Sequence, residues 1–178
     1  MMKTLTCPIP NNINPLQSNG FLFTINKIPS LSYFCQEVSV PGISLPTADV
    51  NSPLSRVPYA GDKVSFDDLT VEFLINEDMS NYKAIHDWIV SLGFPELHQQ
   101  YADFINENTT TLSRSPVMAS TSDGVLSILN SSNNVVRTVQ FIDLVPTNLA
   151  TVTLRSSTDD TTYLAGVATF AYNYYSFE

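Results

Sequence analysis

Residues 60–89, AGDKVSFDDLTVEFLINEDMSNYKAIHDWI, contain the two patterns that decide the fold. In the first pattern, apolar residues alternate with Thr70, Glu72 and Asn76, and only Leu74 breaks the alternation. The alternating apolar residues are Leu69, Val71, Phe73 and Ile75. Because successive side chains of a strand point to opposite faces of a sheet, this period of two predicts a strand with one buried and one solvated face.

The second pattern has the spacing of an amphipathic helix. Apolar residues recur three or four positions apart from residue 82 to residue 92, and they are Tyr82, Ile85, Trp88, Ile89 and Leu92. Gly93 and Pro95 follow where a helix should end. We predict one helix of about three turns whose apolar face packs against a sheet.

Short strands separated by turn residues are predicted on both sides of this segment. They cover residues 21–28, 32–40, 125–130, 135–146, 150–156 and 163–178. Together with the strand at 69–76 they make about seven strands and one convincing helix. The predicted class is mainly β, with two packed antiparallel sheets, sandwich-like or barrel-like, and one flanking α-helix.

The 178 residues are compatible with one domain. Residues 1–19 are rich in Pro and Asn and predict an extended N-terminal arm in front of a single β domain at 20–178. Within the domain, residues 41–60 have four prolines and predict a long loop with short extended pieces, since proline cannot donate to a sheet ladder. Residues 105–124 are rich in Ser, Thr and Asn and predict a polar insertion.

The chain is acidic and sparsely charged. It has 17 Asp and Glu against 8 Lys and Arg, a formal net charge of −9, and 14% charged residues. Nucleic-acid-binding proteins need Lys and Arg to displace counterions from phosphates, so tight binding of DNA or RNA is disfavoured. So few charges leave the surface to Ser, Thr, Asn and apolar groups, which favours a protein that buries its exterior against other copies or partners.

Cysteine content and hydropathy indicate a reduced, non-membrane environment. Cys7 and Cys35 are too few for a disulfide framework and do not have C-x-x-C spacing. Residues 1–15 carry one lysine and no apolar run, so we expect no signal peptide. No segment approaches the roughly 18 consecutive apolar residues of a membrane helix, so we expect assembly in a cytoplasm and no membrane insertion.

The acidic residues of the opening segment have structural explanations. Gly61 and Asp62 suit a turn, and Asp67 and Asp68 suit the start of the strand that follows. Residues 77–80 precede the helix, where Asp78 or Ser80 could cap its free amides and acidic charge complements the helix dipole.

Catalytic and cofactor sites are not predicted. His86 and His98 lack metal-ligand spacing, and the chain has no Walker A loop, G-x-G-x-x-G or G-x-S-x-G motif. We therefore expect no metal, no cofactor and no enzyme activity. A small acidic hydrolase using Asp67, Asp68 or His86 stays as a distant alternative.

Residues 60–78, AGDKVSFDDLTVEFLINED, resemble a segment with the pattern AGD, FDDWTV and NDE that recurs in tail tube proteins of contractile-tailed, myovirus-type bacteriophages. The resemblance continues in order through a helix containing Asp87 and Trp88, FIDLVPTNL at 141–149 and VATFAYNYYSFE at 167–178. Upstream, FLFTINKI and SYFCQEVSVPGI are similar to the family's opening hairpin and the PG that follows it. The sequence departs from the family where Leu69 and Val145 replace tryptophans.

The resemblance implies a structural virion protein. Six copies would form a ring, and rings would stack into a hollow tube that conducts DNA, surrounded by a contractile sheath. The loop at 41–60 would reach the neighbouring ring, and its candidate contact residues are Pro41, Gly42, Leu45, Val50, Leu54, Val57 and Tyr59. The implied partners are copies of the chain, the sheath protein, the baseplate hub or tube initiator, and the tail terminator. DNA would pass through without tight binding, because an acidic, cation-poor wall holds no phosphates.

Two related functions stay open beside the main tube subunit. The departures from the family pattern also suit a baseplate hub or tube-initiator protein with a tube-like domain. A hexameric-ring protein of type VI secretion is a more distant alternative.

Overall fold

The computed structural model describes residues 13–51, 55–93, 120–156 and 163–178. These residues contain eleven strands and two helices. The strands are β1 (Phe21–Ile25), β2 (Cys35–Val38), β3 (Ile43–Ser44), β4 (Thr47–Asn51), β5 (Arg56–Ala60), β6 (Ser65–Phe66), β7 (Leu69–Leu74), β8 (Ser122–Leu129), β9 (Val135–Leu149), β10 (Ala165–Ala171) and β11 (Tyr174–Phe177). The helices are α1 (Leu31–Phe34) and α2 (Ser80–Gly93).

Seven strands form two antiparallel sheets that share the long strand β9. The strand order is β1-β8-β9-β10-β7-β2, and β11 also pairs with β9. The first part of β9 pairs with β8 and β11, and its end, from Val145 onward, pairs with β10. Asp143, with φ of 59°, lies where β9 passes between the two sheets, because a left-handed residue turns an extended strand. The predicted mainly β class with two packed antiparallel sheets and a flanking helix is confirmed.

The core lies between the two sheets and under α2. In β7, Leu69, Val71 and Phe73 are buried while the intervening residues are half-buried, as the period of two predicts. Phe23 and Phe141 meet edge to face across the first sheet, with ring centroids 6.4 Å apart. Such large apolar side chains supply most of the free energy of folding through burial.

Helix α2 packs its apolar face on this core. Ile85 and Trp88 are buried, and Tyr82, Ile89 and Leu92 lie half-buried against the same cluster. The Trp88 ring lies 6.3 Å from that of Phe170 in β10. The Trp88 indole N–H donates to the Ser120 carbonyl at 3.0 Å, and the Lys27 ammonium lies 5.0 Å from the ring centroid. The helix thereby joins the second sheet to the segments that lead into β2 and β8.

The start of α2 is held by two asparagines and not by the predicted Asp78 or Ser80. Asn81 is fully buried, and its side-chain oxygen accepts from the amides of Asn76 and Tyr82 at 3.3 and 2.8 Å. Its side-chain nitrogen donates to the Leu74 carbonyl at 2.7 Å. The Asn76 side chain accepts from the Asn81 amide at 3.3 Å. The prediction of the capping residues is wrong, because the chain turns back so tightly after β7 that an amide, with both donor and acceptor, is needed.

Several element boundaries also differ from those predicted. The second predicted strand, 32–40, begins with the short helix α1, and only β2 is extended. Residues 150–156, predicted as a strand, belong to no strand, although the Ala150 amide donates to the Val167 carbonyl of β10 at 2.8 Å. The predicted insertion at 105–124 includes the first residues of β8, and its remainder up to 119 lies outside the described residues. Of the predicted arm, only residues 13–19 are described, and they are mostly exposed and belong to no helix or strand.

Candidate assembly surface

Residues 41–67, predicted as mostly loop, form a long β-hairpin that leaves the domain. Near its base β3 pairs with β6, and farther out β4 pairs with β5 over five residue pairs from Thr47↔Ala60 to Asn51↔Arg56. Two further backbone hydrogen bonds join the two sides of the hairpin next to these ladders, from the Gly61 amide to the Pro46 carbonyl at 2.9 Å and from the Asp67 amide to the Gly42 carbonyl at 3.0 Å. The stretch is therefore a paired arm with a defined direction.

Gly61 allows the two sides of the hairpin to approach closely. A Cβ on Gly61 would collide with the backbone carbonyl oxygen of Pro46, which cannot move aside alone. A Cβ on Gly42 would lie 2.5 Å from a carboxylate oxygen of Asp67. Packing within the hairpin thus explains the glycine of AGD, whereas at the glycine of PG the exposed Asp67 side chain can turn away.

The hairpin exposes apolar side chains along its length. Every described side chain of β5 is exposed, and Tyr59 keeps 59% of its surface in contact with solvent. The other exposed apolar residues of the arm are Ile43, Leu45, Val57 and Val64. Val50 pairs through its backbone with Val57, and Leu54 lies outside the described residues. A projecting arm with this much exposed apolar surface is typical of a segment that is covered by a partner.

Aromatic rings anchor the base of the hairpin to the body of the domain. Phe66 lies 6.0 Å from Tyr172 and 5.4 Å from Tyr175, measured between ring centroids. Both tyrosines also contact Phe141, at 5.3 and 5.8 Å. Sequence reasoning missed this cluster, although the density of aromatics in AYNYYSF, residues 171–177, was a signal for it.

Two tyrosine hydroxyls extend this anchor to the backbone at both ends of the arm. Tyr172 donates to the Asp67 carbonyl at 2.8 Å, and Tyr175 donates to the Pro41 carbonyl at 3.3 Å. Burial, and after it the charges of Tyr175, Asp67 and Asp68, raise the pKa of Tyr172 to about 12. The Tyr172 hydroxyl therefore keeps its proton and its hydrogen bond at neutral pH. The arm leaves the domain from a fixed base.

Besides the hairpin, the domain has open sheet edges. Strands β1 and β2 end the strand order, so each has a partner on one side only among the described residues. Strand β11 likewise pairs only with β9. Open edges invite pairing with another chain, which makes them assembly sites unless something covers them.

The sheet formed by β2, β7, β10 and the end of β9 has an outer face without cations. None of the described residues in these segments is Lys or Arg. Glu37 of β2 lies directly opposite Glu72 of β7, and Thr70 lies opposite Thr169 of β10. Like charges placed opposite each other are unfavourable, so this face is a poor place for a phosphate chain to settle.

The candidate catalytic side chains are dispersed over the surface. Asp62 lies exposed in a bend between β5 and β6, and Asp67 and Asp68 lie exposed just before β7. His86 lies on the exposed side of α2, with its Nδ1 3.1 Å from the neighbouring carboxylate of Asp87. Within the described ranges, no three His, Cys, Asp or Glu side chains are grouped so that they could hold a metal ion. No helix of the described part is long and apolar enough to cross a membrane.

Comparison with known proteins accounts for the exposed hairpin and the open sheet edges. Residues 5–178 match the family described as phage tail tube protein. The chain belongs to this family. The tail tube terminator protein of Enterobacteria phage T4 is 24% identical over 172 residues, which are 93% of this chain and 90% of that protein.

Solved structures show the same fold in contractile injection systems. A chain in the anti-feeding prophage baseplate matches with a TM-score of 0.59 and 15% identity, over 93% of this chain and 96% of that chain. A chain in the anti-feeding prophage cap, described as tube-terminating, matches with a TM-score of 0.58 and 12% identity over 99% of both chains. The predicted resemblance to tail tube proteins is confirmed at the level of the family.

This tail tube family protein is a structural component of a contractile tail or injection system. The family and the relatives named above are structural proteins and not enzymes, so the prediction of no enzyme activity is confirmed. The exposed acids and His86 need no catalytic explanation. They mark a bend, the start of a strand and the wet face of a helix.

Proposed function

We propose that this chain forms a ring-shaped layer of a phage tail tube, and that its ring is the layer that terminates the tube. The observation that carries the proposal is the exposed apolar hairpin rising from an anchored base on a domain of the tail tube family. The terminator assignment is supported by similarity to the T4 tail tube terminator over nearly the whole length of both proteins. The first function predicted from the sequence, the repeating tube subunit, is the second candidate, and the family description supports it.

In the proposed ring, six copies stand side by side and the open edges of one subunit are covered by the next. Closure of a ring satisfies every edge without leaving a free end, which prevents uncontrolled edge-to-edge association. The hairpin at 41–67 extends out of the ring and lays its apolar residues on the adjacent layer. Its fixed base reduces the entropy lost on docking, because the arm is already held in direction.

We further propose that the cation-free face of β2, β7, β10 and the end of β9 lines the channel. The repulsion of phosphate by Glu37 and Glu72, and the lack of lysine or arginine on these strands, would let a duplex slide. Changing both glutamates to lysine should make assembled rings retain duplex DNA at low salt and release it at high salt. The same charge change at Glu77 and Asp87, on the helix side, is the control, and equal retention by both variants would reject this face as the wall.

Electron microscopy of the purified chain, alone and with tube subunits, tests the assignment. A terminator should give single rings or short stacks by itself and should stop the growth of tubes when it is added to a polymerising tube protein. Long tubes formed by the chain alone would reject the terminator and favour the repeating subunit. Monomers at every concentration, with no binding to tube ends, would reject both.

The remaining partners and the location follow from this place in the particle. A terminal ring would contact the tube below it and the end of the sheath around it, in a tail assembled in the host cytoplasm and carried in the virion. A ring at the opposite, baseplate end is the tube-initiator alternative, and similarity to a baseplate chain supports it. Immunogold labelling of intact tails would locate the chain at the head-proximal end, at the baseplate end or along the whole tail.

A further inference from the structure

A groove of about 730 Å³ separates the two terminal strands of the sheet order. Its walls include residues of β1 and β2, and Leu126 and Ile128 of β8 form an apolar floor. Since β1 and β2 have no partner on their outer sides among the described residues, backbone donors and acceptors face the gap from both walls. The groove therefore has the features that accept an extended peptide as an added strand, which are free backbone edges and apolar pockets.

A strand that enters such a groove must place alternate apolar side chains on the floor. Residues 4–9 of the chain, TLTCPI, have this pattern, because Leu5, Cys7 and Ile9 alternate with polar residues or proline. Pro8 has no amide hydrogen, so the ladder to one of the two walls would end before it. These residues lie outside the described part of the chain, and their sequence is the reason to consider them.

The described residues that follow this segment run along the groove of their own subunit, because residues 16–20 are part of its lining. Ile13 and Leu16 keep 76% and 63% of their surfaces exposed, so the first described residues of the arm reach solvent at this end of the groove. An extended chain covers about 3.3 Å per residue, and the twelve residues before Ile13 could span roughly 40 Å. That distance is sufficient to reach an adjacent subunit in a ring.

Charge also favours a copy of the arm as the occupant. Lys3 is the only charged residue before Lys27, whereas the whole chain has a net charge of −9. Glu37 lies exposed on the wall of the groove. The uncharged strand would therefore meet the apolar floor, and Lys3, directly before it, could approach Glu37 at the rim.

We propose that the groove between β1 and β2 binds residues 4–9 of a neighbouring copy as an inserted β-strand. This proposal rests on the proposed ring. It assigns a specific contact within it, in which each subunit donates its arm to one neighbour and receives the arm of the other. Such an exchange closes both open edges of the groove at once and makes arm docking part of ring closure.

Two native cysteines provide a direct test. Cys7 belongs to the proposed strand and Cys35 lines the groove, and a disulfide requires the two Cα atoms to lie within about 7 Å. Assembled rings would be treated with diamide, which takes up the two electrons and two protons released by a pair of thiols. Because burial raises the pKa of Cys35 to about 11, the reaction is run at mildly alkaline pH.

The expected product is a ladder of covalent oligomers that extends past the dimer on a non-reducing gel and collapses on reduction. Each of the single variants Cys7→Ser and Cys35→Ser should abolish the ladder while leaving the rings visible by electron microscopy. A dimer that persists in Cys35→Ser would come from Cys7 pairs and would overturn the proposal. A cross-linked monomer of changed mobility would place the arm in its own groove and would also overturn it.

Side-chain variants of the arm test the orientation of the strand. Leu5→Ser with Ile9→Ser should reduce the cross-linked fraction at least tenfold, and Thr4→Ser with Thr6→Ser, on the opposite face, should leave it unchanged. Equal effects of the two pairs would overturn the inserted strand. Rings that form normally but never cross-link would reject this contact and keep the proposed ring, whereas absence of rings in the unaltered chain would reject the proposed function itself.

Discussion

Replacing Tyr59 by serine should weaken assembly and leave the domain folded. Burial of a whole tyrosine removes roughly 200 Å² from water. Tyr59 exposes 59% of its surface. Covering that fraction in an assembly would bury about 120 Å², which is worth about 3 kcal/mol at ~25 cal/mol per Å².

This free energy predicts the size of the effect. A loss of about 3 kcal/mol per hairpin corresponds to a contact weakened on the order of 100-fold, since each 1.4 kcal/mol is a factor of about ten. The concentration at which ring stacks appear should rise accordingly. The free energy of unfolding of the monomer should change by less than about 0.5 kcal/mol, because the side chain is exposed and makes no core contact.

Sedimentation velocity over a concentration series measures the assembly threshold, and chemical denaturation measures monomer stability. Tyr163→Ser is the matched control, because Tyr163 is 84% exposed but lies outside the hairpin. The reasoning fails if Tyr59→Ser assembles at the wild-type concentration, or if Tyr163→Ser is impaired to the same degree. A large loss of monomer stability in Tyr59→Ser would show that the hairpin residue supports the fold instead.

Three further predictions address the fold and its pH dependence. Asn81→Ala should lower the free energy of unfolding by about 2–5 kcal/mol, because it removes three hydrogen bonds of a buried amide, whereas Asn134→Ala at an exposed turn should be neutral in the same urea titration. Gly61→Ala should distort the hairpin and raise the assembly threshold, because its Cβ meets a backbone carbonyl, whereas Gly93→Ala, with nothing within 4 Å, should assemble normally. Burial lowers the pKa of Lys27 from 10.5 to about 8. Between pH 8 and pH 10.5 the unfolded chain therefore binds more protons than the folded chain, so the free energy of unfolding should rise with pH in this range. Denaturation of wild type and Lys27→Met at pH 8 and pH 10 checks this sign, and an equal pH response of the two proteins would contradict it.

The sequence was most informative where local pattern and tertiary environment agree. The alternation in β7 and the spacing of three and four in α2 each correspond to one buried face, and the structure has both elements with the expected faces inward. Such periodicity is imposed by the core, so it is visible in a single sequence. The hairpin of β8 and β9 was predicted for the same reason.

The predictions failed where a backbone pairing lacks a hydrophobic period. The hairpin of β4 and β5 is exposed on both faces, so its side chains show no alternation, and its prolines favoured a loop. Pro58 is tolerated because β5 pairs on one side only, opposite Asp49 of β4, and the missing amide hydrogen need not break a central ladder. The prediction that residues 150–156 form a strand failed in the opposite way, because β-branched residues favour a strand only where a neighbouring strand can pair.

By itself the sequence determined the mainly β class, the buried faces of β7 and α2, the acidic balance that disfavours nucleic-acid binding, and the resemblance to tail tube proteins. Those properties depend on composition and on periods of two and 3.6 residues, which neighbouring residues encode locally. Only the tertiary structure showed that β3 to β6 form a paired arm with an anchored base, because the base is made by rings of Phe66, Tyr172 and Tyr175 that lie up to 109 residues apart in the chain. The groove between β1 and β2 is likewise visible only in the tertiary structure. The strand order of a sheet, and hence the position of its unpaired edges, is set by long-range pairing that no local sequence pattern records.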